Sequence, residues 1–492
     1  MPLIKSFRYL VESSQLEVYF KRYSRYPNIC YDLYSDVIPQ QWTDPNQGVD
    51  DTDLIIFVSA FDSISTTDLC DKDADLSTLA VSSPCAVDPF TDRPVVGFAN
   101  VCLNTIATAN GGSNNSNHNN NMEVVLHQAS IDTMVDVMSH ELVHVLGLNS
   151  ELYKYFRNPL TNQPLTPRRQ TFFGYDAGFP LTQDVPCVGV GAVEHTVQPM
   201  EMPCDNTLRY HTETVHYGPD IFQRGYYEIV LPTVAQVARN HFHCQTLQGA
   251  RLENQPTSQD CFGSHFDERT WFTEFMSAVY DEDAAYLSPL TLAFLEDTGW
   301  YRADYTQAHN SPFGLGAGCS FVHDACIVDE VVPDYGRGFF CDDRPTQGGE
   351  EEGKWMCGPS HKFRARCDLE AYAYPQRTYF DPSHLGPKFT HADFCPMAVA
   401  NAVDCDDNSA TKLHPSIEVF GSESECIDVE VSGRKSSACL KTGCNDELKT
   451  LDFEVGNKIY SCSKDFEVVD VVDDEGTKFQ FHCPRLTQIC PK

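Results

Sequence analysis

"SHELVHVLGLNS", residues 139–150, is the stretch on which the reading of this chain turns. His140 and His144 are four residues apart, so on a helix they stand one turn apart and point the same way. Two imidazoles in that relation reach one metal ion. Glu141 between them cannot join without strain and is left beside a water bound at the same ion. The preceding residues support a helix. One that begins near Ser130 or Asp132, both suitable N-caps, places Ile131, Met134, Val135, Met138, Leu142, Val145 and Leu146 on an apolar stripe, with the histidines on a different face. Gly147 suits the left-handed position that closes a helix.

Upstream, "DLIIFVSAF" (53–61) and "PVVGFANVCL" (94–103) are short, apolar and rich in Val, Ile and Phe, and read as buried strands. Strands that lead into a histidine-bearing helix make an α+β arrangement. Between them and the helix, "NGGSNNSNHNNN" (110–121) is too polar to pack and reads as a mobile loop; Asn114-Asn115-Ser116 inside it is a glycosylation tripeptide. From 149 to about 260 the periodicity weakens, apart from a helical stretch at "LPTVAQVARNHFHC" (231–244). A further helix is expected at "LSPLTLAFLEDTGW" (287–300), and β-like runs such as "KIYSC", "FEVVDVV" and "KFQFHC" follow, without a fixed-period repeat.

The chain has 492 residues, enough for two to four domains, and its 41% hydrophobic content suits globular cores. A formal net charge of −35 argues against nucleic acid as a partner, because phosphates call for a basic face. There are 21 cysteines, 13 of them between Cys319 and Cys490, and no C-x-x-C pair. That pattern points to disulfides formed in an oxidising compartment rather than to metal-binding cysteines. An odd count leaves at least one thiol without an internal partner. No apolar run is long enough for a membrane span, and the C-terminal residues lack the hydrophobic tail of a lipid-anchor signal. The first twenty residues contain no signal-peptide core either. Cysteine content and N-terminus therefore disagree, and the expectation is that this chain lacks the N-terminus of its native precursor.

Two histidines do not complete a catalytic zinc site, which ordinarily has three protein ligands and one open position. Ser150 stands at the sixth residue after His144. His195, His211, His216, His241 and His243 lie downstream, none in a context that singles it out. The segment "CFGSHFDERTWFTEFMSAVY" (261–280) is different, with Gly263-Ser264-His265 followed by Glu274-Phe275-Met276. Here the chain resembles the leishmanolysin family of metalloproteases, a branch of the metzincins. That family carries H-E-x-x-H-x-x-G, a long insertion, a G-S-H segment and then a methionine in an E-x-M context. The resemblance implies that His265 is the third metal ligand and that Met276 is the Met-turn residue, an apolar floor beneath the histidines. Other metzincins carry the third histidine where Ser150 stands; here the insertion runs from about 149 to 262. "TLAFLEDTGWYRADYTQAHNSPFGLGAGCSF", "YFDPSHLGPKFTHADFCPMAV", "SECIDVEV" and "FHCPRLTQIC" extend the resemblance over nearly the whole chain. It departs at the Asn-rich loop, in the longer insertion, and at the N-terminus, where the family's signal and pro-segment are missing. Cys30 is the one cysteine before the first expected strand.

The resemblance implies a metzincin-like catalytic domain, a twisted sheet plus active-site helix, with a large insertion and a disulfide-rich, mostly β C-terminal domain. The expected divisions are 1–149, 150–327 and 328–492. The implied activity is hydrolysis of peptide bonds with one Zn2+ ion held by His140, His144 and His265 and with Glu141 as general base. An adhesion or binding protein on the same scaffold is the alternative, weakened by the presence of Glu141 and all three ligands. Partners would be protein or peptide substrates, in the extracellular space or at the cell surface. Cys244 and Cys261 bracket a 16-residue segment just before His265 and are expected to pair.

Overall fold

The computed structural model describes residues 52–490 except 61–62, 65–66, 71–77, 89, 103–104, 106–127, 172–173, 176–177, 182–185, 190–192, 198–199, 218–219, 255–261, 280–285, 346–354 and 382. The Asn-rich stretch, Cys30 and Cys261 lie outside the described residues. The chain forms two compact units. The first comprises residues 1–182, 199–207 and 294–303, and the second 183–198, 208–293 and 304–492.

The first unit is built on a three-stranded sheet of β1 (Ile55–Ser59), β2 (Ala80–Val87) and β3 (Pro94–Val101), in the order β1-β3-β2. β1 runs parallel to β3 from Ile55↔Val96 to Ser59↔Asn100, and β2 runs antiparallel to it. β1 and β3 were expected from their apolar runs. β2 reads poorly because Ser82, Ser83 and Pro84 interrupt it, but it is an edge strand, where proline removes no needed ladder bond. Phe98 and Ala99 of β3 are fully buried.

Helix α1 (Gln128–Leu146) packs on β2 and β3. It begins before Ser130 and Asp132, so neither is its N-cap. The expected apolar stripe is also displaced: Val135 is 55% exposed, while Val137, Glu141, His144, Val145 and Leu148 are buried. The sheet decides this. A Cβ on Gly97 of β3 would lie 2.4 Å from Val145 Cγ1, so the strand glycine admits the helix at Val145. The face centred there is the one that sinks, and His144 sinks with it. Gly147 is not in the left-handed region. Its N–H continues the helical ladder to the Val143 carbonyl at 3.0 Å. A Cβ there would stand 3.3 Å from Thr298 Cγ2, so its role is close packing rather than handedness.

In the second unit β4 (Leu208–Tyr217) and β5 (Asp220–Ile229) pair along their whole length, and β6 (Ala250–Arg251) adds to β5. Aromatic and β-branched runs on either side of Gly218-Pro219 are the sequence signal for this hairpin, which periodicity alone did not reveal. Buried charges tie it down. Glu213 meets Arg224 and Arg251, and Arg224 also reaches Asp393 at 2.9 Å. Burial opposes the charge on Glu213, but Arg251 and Arg224 outweigh it and hold the carboxyl at about 2. Helix α2 (Pro232–Phe242) follows as expected.

The C-terminal part of this unit carries a six-stranded sheet of β7 (Ser424–Val431), β8 (Arg434–Asn445), β9 (Thr450–Val455), β10 (Lys458–Cys462), β11 (Val468–Val472) and β12 (Lys478–His482), in the order β10-β9-β8-β7-β12-β11. Ile427, Leu440, Phe453 and Phe481 fill its core. Among the described residues, Cys341–Cys367, Cys357–Cys426, Cys405–Cys439, Cys444–Cys490 and Cys462–Cys483 staple the region, and Cys326–Cys395 ties it to the segment before it. The fold is thus mixed α and β with a disulfide-rich β C-terminal region, as expected.

The expected Cys244–Cys261 bridge is corrected. Cys244 pairs with Cys319. His243 adopts a left-handed cap at the end of α2, and the Gly316 and Gly318 N–H groups donate to the His241 and Phe242 carbonyls at 2.7 and 2.8 Å. Those bonds bring Cys319, distant in sequence, against Cys244. Cys204 is a free thiol among the described residues.

Candidate metal centre

The two histidines of α1 meet as their spacing demands. Their Nε2 atoms are 3.0 Å apart and the ring centroids 4.7 Å. His144 Nδ1 lies 2.6 Å from the Leu148 carbonyl. A carbonyl only accepts, so the proton sits on Nδ1 and Nε2 keeps its lone pair toward His140. Two imidazole nitrogens on one tetrahedral zinc would be separated by about 3.3 Å. The pair therefore fits such an ion with little adjustment. Glu141, next to His140, is buried, and the Ser82 hydroxyl donates to its backbone carbonyl at 2.9 Å. The Tyr301 hydroxyl donates to the Leu146 carbonyl at 2.9 Å, satisfying one of the carbonyls that a helix end leaves open. Neither Ser82 nor Tyr301 was legible as part of the site, since each comes from a distant segment.

In the second unit the structure brings His265 and Met276 together. Leu252 bridges Phe266 antiparallel, and the Phe266 N–H donates to the Met276 carbonyl at 3.0 Å. The turn that carries Met276 thus hangs directly on the residue after His265. Met276 is fully buried. Its N–H donates to the Glu274 carboxylate, which also accepts from Ser288 Oγ and Thr291 Oγ1, each at 2.8 Å. Burial raises the Glu274 carboxyl to about 7 against the pull of these donors. The E-x-M spacing therefore has a mechanical content: the glutamate folds back onto the methionine's own amide. His265 Nδ1 lies 3.0 Å from Glu253 Oε1, a partner that no local pattern announces.

The other downstream histidines have separate surroundings. His211 pairs with Glu228 at 3.0 Å. His241 is half-buried and packs against Trp271 and Phe242, with Nε2 2.8 Å from the Phe313 carbonyl, and desolvation lowers it to about 4. His216 and His243 are exposed. The side chain of His195 lies outside the described residues. A second group of metal-type side chains, Cys341, Cys367 and Asp368, has its two sulfurs spent in a disulfide.

Comparison with known proteins bears on this arrangement. The chain is 25% identical over 459 residues to a leishmanolysin-like peptidase of Drosophila pseudoobscura pseudoobscura, covering 86% of this chain and 60% of that protein. It is 23% identical over 499 residues to a leishmanolysin-like peptidase of Caenorhabditis elegans, covering 90% and 67%. A leishmanolysin of Leishmania tropica is 26% identical over 278 residues, covering 52% and 40%. The chain spans about 60% of the length of the first two fly relatives. The leishmanolysin family model matches residues 205–492, more than half of the chain, including His265 and Met276. This chain belongs to the leishmanolysin family of peptidases, M8.

Proposed function

We propose that this protein is a zinc endopeptidase in which His140, His144 and His265 hold one ion and Glu141 moves the proton. The observation that carries the reading is the pair of Nε2 atoms converging at 3.0 Å on the helical turn that also bears buried Glu141. Three imidazole donors leave zinc a fourth position for water or substrate. A zinc ion bound there would polarise the scissile carbonyl and acidify the attacking water. Glu141 takes a proton from that water and returns it to the leaving amine, acting as base and then as acid. Met276 forms an apolar floor, and the catalytic part is metzincin-like. His265 belongs to the set by resemblance and by its place beside Met276.

Substrates are read as extracellular proteins or peptides. Eight disulfides among the described residues suit an oxidising compartment, and the proposed site of action is the extracellular space or the cell surface. No helix among the described residues is long and apolar enough to cross a membrane. No observation favours the adhesive alternative. The test is peptide hydrolysis by the oxidised chain before and after chelation, with zinc added back. Activity that survives removal of all bound metal would end the proposal.

A further inference from the structure

His265 is gripped from its far side by a carboxylate. Two backbone segments pair around it: the Glu253 N–H donates to the His265 carbonyl at 3.0 Å, and the Asp267 N–H donates to the Arg251 carbonyl at 3.1 Å. In this ladder Glu253 Oε1 accepts from His265 Nδ1 at 3.0 Å and from the Ser264 N–H at 3.0 Å. Gly263 makes the approach feasible. A Cβ at that position would stand 1.9 Å from Glu253 Cγ and 2.2 Å from Oε1. Its φ lies outside the left-handed region, so an alanine backbone would fit and only the space is denied.

We infer that Glu253 is a positioning residue that fixes His265 as its Nδ1–H tautomer and directs Nε2 to the metal, and that Gly263 is required to admit this carboxylate. The inference rests on the reading of His265 as a ligand. An ionised carboxylate only accepts, so the single proton of neutral imidazole stays on Nδ1 and the Nε2 lone pair is left for the metal. The negative charge behind the ring also strengthens that nitrogen as a donor. Backbone bonds pair the two segments independently of the Glu253 carboxylate.

The experiment measures apparent Zn2+ affinity of the full, oxidised chain by competition with a chelator, alongside the visible absorption of the Co2+-loaded protein. The variants are His265→Ala, Glu253→Ala, Glu253→Gln, Gly263→Ala and the double variant Glu253→Ala/Gly263→Ala. Glu253→Ala and Gly263→Ala should each weaken zinc about ten- to hundred-fold and alter the Co2+ spectrum. Glu253→Gln, which keeps an acceptor oxygen but loses the charge, should recover part of the loss. The double variant should be no worse than either single one, because alanine at 253 removes the atoms that a Cβ at 263 would strike. Additive losses would overturn the steric link. Wild-type affinity and spectrum in both Glu253 variants, with His265→Ala impaired, would overturn the positioning role and leave the ligand intact. Wild-type affinity in His265→Ala would overturn the ligand reading itself.

Discussion

His144 and His265 are oriented by two different means. The first is steered by a carbonyl four residues along its own chain, at Leu148, where α1 ends. The second is steered by Glu253, twelve residues back, across a pairing of two irregular segments. In one case the helix supplies the imidazole and the turn directly after it supplies the orienting acceptor. In the other, ligand and orienter meet only because the chain has folded back. The difference teaches where a site is robust to its surroundings and where it depends on contacts remote in sequence.

The largest expected effect tests the helical half. Glu141→Gln should lower kcat/KM about 10²- to 10⁴-fold while zinc stays bound, because the carboxylate moves protons and does not hold the metal. Metal analysis and peptide hydrolysis on the same sample check this, and zinc loss would erase the distinction between base and ligand. On the non-local half, His265→Ala should lose zinc on dialysis, whereas His216→Ala and His243→Ala should keep it.

The bridge that encloses the non-local half comes next. Cys244–Cys319 closes a separation of 75 residues that contains His265 and Met276. Chain-entropy arithmetic gives such a loop about 4 kcal/mol. The Cys244→Ser/Cys319→Ser pair should lose stability of that order in denaturant unfolding, and unreduced peptide maps should recover the bridge. Recovery of Cys244 with Cys261 instead would restore the local reading.

A smaller effect depends on pH. Asp428 is half-buried and its Oδ1 accepts from the Cys357 N–H at 2.9 Å, across 71 residues. Burial raises its carboxyl from 3.8 to about 6. Between those values the unfolded chain has released the proton and the folded chain has not, so this group makes stability fall as pH rises from about 4 to about 6, with no further change above. Asp428→Asn keeps the acceptor and cannot ionise. It should flatten that decline by about 2–3 kcal/mol when unfolding is compared at pH 4 and pH 7.

Two glycines give the finest test. Gly97→Ala should cost about 1–3 kcal/mol, relieved by Val145→Ala, because the new methyl meets a stiff β-branched side chain. Gly147→Ala should stay within about 1 kcal/mol, since its φ is ordinary and its nearest contact is 3.3 Å. A cost of about 1–2 kcal/mol, as left-handed strain would give, would revive the sequence-based reading of that residue.

Sequence alone determined what short-range geometry enforces. Spacing four apart put His140 and His144 on one turn with Glu141 beside them. Apolar runs placed β1 and β3, the helix at 231–244 and the strands β10, β11 and β12 of the C-terminal sheet. The cysteine distribution located the stapled region, and the G-S-H and E-x-M segments pointed to His265 and Met276 through a family resemblance. Only the tertiary structure decided which face of α1 sinks, because that rests on Gly97 opposite Val145. It also decided the partner of Cys244, the packing role of Gly147, and the choice of Glu253 as the carboxylate behind His265. The physical reason is the range of the contacts. Helical neighbours are set by a fixed rise and turn per residue, whereas contacts between distant segments are selected by the packing of the whole fold.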